Sequence, residues 1–157
     1  MMKKSTAKIA LVLCLMLLTV CLTACGSGGS DEPAGKAAAF TGEKYIYEGS
    51  EYAIKTEEMP EGYPYIANDQ FTAGFKAIVD GTITTASAYS DVAKAFGDDG
   101  IKMAGIKYDG YAYYSWYSDK DYTSDTKVHV LVTFKVSGDK VTYYAYSSEG
   151  INAQDVK

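Results

Sequence analysis

The chain has 157 residues, 47% hydrophobic and 22% charged, with a formal net charge of −5 at pH 7. That length suits one globular domain and is hardly enough for two. All fifteen basic residues are lysines, so the chain is acidic and lacks arginine's planar fork, which argues against nucleic acid as a partner.

The first element in chain order is a leader. Lys3, Lys4 and Lys8 precede an apolar run from Ile9 to Leu22, and small residues follow. This is the layout of a secretory signal peptide over residues 1–24. The apolar run is short against the roughly 20 residues that span a hydrocarbon core. Leu22-Thr23-Ala24-Cys25 resembles a bacterial lipobox. The resemblance implies cleavage before Cys25 and diacylglycerol on its sulfur, which anchors the protein on the outer face of a bacterial cell membrane. Two acyl chains suffice for stable anchoring. In two-membrane bacteria an aspartate after that cysteine is the familiar inner-membrane retention signal. Gly26 stands here, which fits an outer-membrane destination or a single-membrane cell.

Cys14 and Cys21 leave with the leader. No cysteine then remains past residue 25 for a disulfide, a thiol nucleophile or a zinc site. Twelve lysines remain against twenty acidic residues, a net charge of −8, which also argues against docking of the folded domain on anionic lipid. Residues 25–39 comprise the lipidated cysteine and a Gly/Ser/Ala-rich flexible tether. Residues 40–67 are rich in tyrosine and turn residues, with short strands expected at Tyr45–Tyr47 and Tyr52–Ile54.

Residues 68–157 carry the clearest patterns. Phe71, Phe75 and Ile78 fall on one face of a helix that Asn68 or Asp69 is placed to cap and Gly81 to stop. Tyr89, Val92, Ala93 and Phe96 predict a second helix, with Ser87 as N-cap and Gly97 as the stop. From Ile101 the period changes to two. One strand is expected within 101–110, an aromatic one over 111–118, then a polar loop over 118–125. In 127–136, Val128, Val130, Val132, Phe134 and Val136 share one face. Gly138-Asp139 turns the chain into a last strand over 140–148. The expected fold class is α+β: two short helices followed by a three- to four-stranded antiparallel sheet.

"FKAIVDGTITTASAYSDVAKAFGDDG" (75–100) resembles the helix–loop–helix opening of the β-lactamase-inhibitory-protein-like fold. Tyr114-Ser115-Trp116, Val132-Thr133-Phe134 and Gly150-Ile151 are similar to marks of that family's sheet. Small bacterial lipoproteins of outer-membrane assembly share the same order of elements. The resemblance spans about 70–151 and implies this fold and a binding role. The best-known inhibitor carries two tandem copies where this chain has room for one, so no inhibitory residue is carried over.

Catalytic, cofactor and metal patterns are weak. His129 is the lone histidine, in mid-strand, and reads as structural. Asp119, Asp121 and Asp125 match positions one, three and seven of a calcium loop, but Ser124 and Val130 stand where glycine and glutamate belong. No glycine-rich phosphate loop occurs. The chain therefore reads as a non-enzyme with no cofactor and no metal. The tyrosines remain. With Tyr114 and Trp116 turned to the core, Tyr111, Tyr113 and Tyr117 form the candidate binding surface on an otherwise uncovered sheet face. Tyrosine is enriched at protein interfaces, though cross-strand pairing alone also accounts for it. The leading expectation is an anchored protein-interaction module with an envelope partner. The alternative is cell-wall glycan or small-ligand binding through the aromatic face.

Overall fold

The computed structural model describes residues 40–157. The leader, Cys25 and the tether lie outside the described residues. Helix α1 spans Asn68–Val79 and α2 spans Tyr89–Phe96. The strands are β1 (Tyr45–Tyr47), β2 (Ile101–Met103), β3 (Tyr111–Asp121), β4 (Lys127–Ser137) and β5 (Lys140–Glu149). They form one sheet in the order β1-β2-β3-β4-β5. The fold is α+β, as expected, but the sheet is mixed and five-stranded rather than antiparallel with three or four strands. The extra strand is β1, which runs parallel to β2. The parallel pairing needs a long crossover, and here that crossover contains both helices. Tyr52–Ile54 is a bend rather than a strand, because it carries Ile54 inward as a fully buried plug.

The helices begin where the periodicity places them, with different caps. Ala67 is the N-cap of α1, and Asp69 accepts the Gln70 N–H at 2.8 Å. At α2 the N-cap is Ala88, whose N–H donates to the Asp91 carboxylate at 2.8 Å. Ser87 stands one residue outside and accepts the Thr84 N–H at 3.0 Å. Gly97 ends α2 at φ 73°, a left-handed position that disfavours residues with a Cβ.

Both helices cover one face of the sheet. Phe71, Phe75, Val92 and Phe96 pack on Trp116, Val130, Val132 and Phe134. Trp116 stacks on Phe96 with ring centroids 5.0 Å apart and donates its indole N–H to the Asp98 carbonyl at 2.8 Å. Tyr114 and Trp116 thus face the core. The two helices meet closely at Gly74, where a Cβ would lie 2.6 Å from Phe96 Cδ1 and 3.0 Å from the Ala95 carbonyl oxygen. Gly74→Val is therefore expected to cost about 1–3 kcal/mol by overpacking. Thermal unfolding followed by circular dichroism checks this, with a Tm drop of at least about 5 °C expected.

The opposite face of the sheet is not bare. A strap, residues 48–67, crosses half of it. Ile54 and Tyr63 bury themselves against Ile101, Met103, Tyr117 and Leu131. The strap has little regular structure. It is stitched by its backbone: Thr56 N–H donates to the Asp125 carbonyl at 2.7 Å, and Ile66 pairs with β3 where β2 has ended. Residues 40–67 and 68–157 thereby form one compact body.

Candidate functional site

The strap decides which tyrosines are accessible. Tyr111, Tyr113 and Tyr117 all point to the strap side of the sheet, since they alternate with Tyr114 and Trp116 along β3. Tyr117 is fully buried. Its ring stacks on His129 at 4.8 Å and meets Tyr63 edge-on. Its hydroxyl accepts the Ile54 N–H at 2.8 Å, and its own N–H donates to the Tyr63 hydroxyl at 3.1 Å. Burial pushes the Tyr117 phenol up to about 12. Tyr117 is thus removed from the expected surface, because Ile54 and Tyr63 sit on it.

His129 shares this burial, at 3% exposure. Its Nδ1 lies 3.2 Å from the Lys127 carbonyl, which can only accept, so Nδ1 carries the proton. The ring is a packing element beneath the strap, and among the described residues no serine or carboxylate is hydrogen-bonded to it.

Beyond the strap the same face stays open at the other end of β3. Tyr111 is 37% exposed and Tyr113 is half-buried. Three further tyrosines join them: Tyr108 at 60%, Tyr144 at 53% and Tyr52 at 51% exposure. The rings of Tyr111 and Tyr144 lie 5.3 Å apart, tilted by 59°. Those of Tyr108 and Tyr113 lie 6.0 Å apart, tilted by 58°. Hydrogen bonding to Tyr108 raises the pKa of the Tyr52 phenol. Desolvation raises the Tyr113 phenol too. Both phenols keep their protons at neutral pH and remain donors.

Thr142 pairs with Lys135, which pairs with Tyr111, so alternation along β5 places Tyr144 on this face as well. A β-bulge follows: Thr133 pairs with Ala145 and Phe134 with Tyr143, and beyond it Tyr146 turns to the helix side against Phe75. Lys135, between Tyr111 on β3 and Thr142 on β5, has no ion-pair partner among the described residues. The result is a band of four tyrosines running crosswise from β5, over β4 and β3, to the turn between β2 and β3, with Tyr52 of the strap beside it.

Compared with protein-family models, with curated proteins and with solved structures, the chain matches none. Among the described residues no cluster of three His, Cys, Asp or Glu side chains is placed to hold a metal ion. The Asp119–Asp125 stretch forms the end of β3 and its turn. There Lys127 pairs with Asp121 at 2.6 Å, and Thr123 donates to Asp125 at 2.8 Å. A cavity of about 300 Å³ lies elsewhere, between the start of α1 and the end of the sheet, with Asn68, Thr72, Lys120 and Asp155 on its walls. Its one hydroxyl, on Thr72, donates to the Asn68 carbonyl at 2.6 Å. Among the described residues no helix is long and apolar enough to cross a membrane.

Proposed function

We propose that the chain is a lipid-anchored, extracytoplasmic binding module that holds an envelope protein on its tyrosine band and performs no chemistry itself. The observation that carries the reading is the band: Tyr108, Tyr111, Tyr113 and Tyr144 gathered at the edge of the strap, on the face that the helices do not cover. Tyrosine presents a large amphipathic surface at low entropic cost, since it has two side-chain torsions to fix. The order of two helices and then a β3-β4-β5 meander supports kinship with the β-lactamase-inhibitory-protein-like fold and its binding role. The lipobox supports anchoring through Cys25. Wall glycan stacked on the same rings is the competing reading.

Two measurements test the proposal. Expressed as the full chain in a bacterium, the protein is expected to incorporate labelled palmitate and partition into detergent. Cys25→Ser is expected to lose both properties, and equal partitioning of the two forms overturns the anchor. Full-length protein in detergent is then used to capture envelope proteins by cross-linking. A captured protein that disappears with both Tyr111→Ser/Tyr144→Ser and Tyr108→Ser supports the band as the contact. An identical capture profile for all three baits overturns it.

A further inference from the structure

We propose that Tyr111 and Tyr144 form an oxidative cross-linking site, whose rings join through a carbon–carbon bond when a haem peroxidase turns over hydrogen peroxide at the protein. The inference goes beyond the binding reading and does not depend on what the band holds.

The first argument is selection by contact and access. Two tyrosines couple when their rings already touch, because a phenoxyl radical is short-lived. The Tyr45–Tyr63 and Tyr89–Tyr114 pairs touch, with ring centroids 5.2 Å and 4.6 Å apart, but all four residues are buried. Tyr63, which also meets Tyr65 and Tyr117, takes those contacts into the core with it. At such rings no oxidant arrives and no water receives the phenol's proton. In the Tyr108–Tyr113 pair the centroids are 6.0 Å apart and Tyr113 is half-buried. Among the described residues Tyr111–Tyr144, at 5.3 Å, is the one tyrosine pair in ring contact with both members exposed.

The second argument is how the sheet presents the two rings. Tyr111 on β3 pairs with Lys135 on β4, which pairs with Thr142 on β5, two residues before Tyr144. β3 and β5 stand two strand spacings apart, about 10 Å. Ring centroids 5.3 Å apart mean that the side chains converge above β4 with their hydroxyl-bearing ends leading. Those ends carry the ortho carbons, where a phenoxyl radical holds spin and where coupling occurs. The link would staple the first strand of the β3-β4-β5 meander to the last.

The step balances. Each phenol gives one electron to the peroxidase and its hydroxyl proton to water. The two phenoxyl radicals then join at their ortho carbons. The hydrogen on each of those carbons leaves as a proton while each oxygen regains one, so both phenols are restored. Hydrogen peroxide takes up the two electrons and two protons and is reduced to two waters. The protein is left two hydrogen atoms lighter.

The test treats full-length protein in detergent, at fewer than one chain per micelle, with a haem peroxidase and hydrogen peroxide. Products are sized, digested with trypsin, and read by dityrosine fluorescence and mass spectrometry. A monomer-sized product is expected, in which peptide 108–120 is joined to peptide 141–157 through Tyr111 and Tyr144 with the loss of two hydrogens. Tyr111→Phe and Tyr144→Phe each keep the ring and its packing, and each is expected to remove most of the monomeric dityrosine fluorescence. Tyr122→Phe, at an exposed tyrosine in the β3–β4 turn, is expected to leave it unchanged. Circular dichroism of each variant confirms folding. Dityrosine confined to linked chain dimers, a monomeric link between other tyrosines in place of this one, an unchanged yield in both Phe variants, or no dityrosine at all overturns the proposal.

Discussion

Tyr117→Ala is expected to be the most damaging substitution among the strap-side tyrosines, while Tyr111→Ala and Tyr144→Ala stay within about 0.5 kcal/mol of the parent. All three are tyrosines on the same face of one sheet, so the contrast isolates the strap. Truncating a buried aromatic residue costs about 3–5 kcal/mol. The Ile54 N–H, which donates to the Tyr117 hydroxyl at 2.8 Å, loses its acceptor, a further penalty of about 1–3 kcal/mol if it stays buried. Against a typical total stability of about 5–15 kcal/mol, that is a large fraction. The damage should appear first in the strap, because Tyr63 and Ile54 lose the surface they plug. Limited proteolysis is therefore expected to cut within residues 48–67 in Tyr117→Ala and to spare the parent. Thermal unfolding is expected to fall by more than about 10 °C. Tyr117→Phe keeps the ring and removes only the acceptor, so it should lie between the two. Equal Tm values for Tyr117→Ala and Tyr111→Ala would show that the strap does not hold the sheet face.

The parts of the fold that sequence reading reached are those governed by short-range periodicity. Phe71, Phe75 and Ile78 lie within two turns of one helix, and so do Tyr89, Val92 and Phe96. Each set declares its buried face without reference to the rest of the chain. The alternation of Val128, Val130, Val132 and Phe134 is equally local. It fixes the helix-facing side of β4 and, by pairing, that of Tyr114 and Trp116.

What stayed hidden is non-local or irregular. Strands at Tyr45–Tyr47 and within 101–110 were expected and occur as β1 and β2, but their parallel pairing, across a separation that includes both helices, was not. The strap has no period at all. The apolar residues Ile54, Met59, Tyr63, Tyr65 and Ile66 in 48–67 were a signal, being too many for a solvated loop. Their target, the back of β3 around Tyr117, is not written in any spacing. The candidate surface was accordingly half legible. Tyr111 and Tyr113 follow from alternation. Tyr117 was claimed by the strap, and Tyr144 follows from alternation only once β5 is registered on β4 through Lys135 and Thr142.

Acid is expected to destabilise the protein through His129. In the folded state the ring is enclosed by Tyr117 from β3, by Glu149 opposite it on β5 and by Lys127 on its own strand. Burial lowers its pKa from the ordinary histidine value near 6.5. The Lys127 carbonyl and Glu149 pull weakly the other way. Above pH 6.5 folded and unfolded chains both hold a neutral imidazole, and His129 makes no pH dependence. As pH falls below 6.5 the unfolded chain binds a proton that the folded chain refuses, so stability drops. The slope approaches about 1.4 kcal/mol per pH unit until the folded-state pKa is reached. Because the strap lies over this ring's partner Tyr117, opening of the strap is the least costly route to hydrating the imidazolium. Urea unfolding between pH 7.5 and 5 is expected to show the loss, and His129→Gln is expected to flatten it while lowering stability at pH 7.5. Protection factors of the Ile54 and Tyr117 amides, corrected for the intrinsic exchange rate at each pH, should fall over the same range, ahead of those of Val130 and Val132. A parent stability that is flat from pH 7.5 to 5, or a His129→Gln variant with an unchanged slope, would place the acid response in the carboxylates instead.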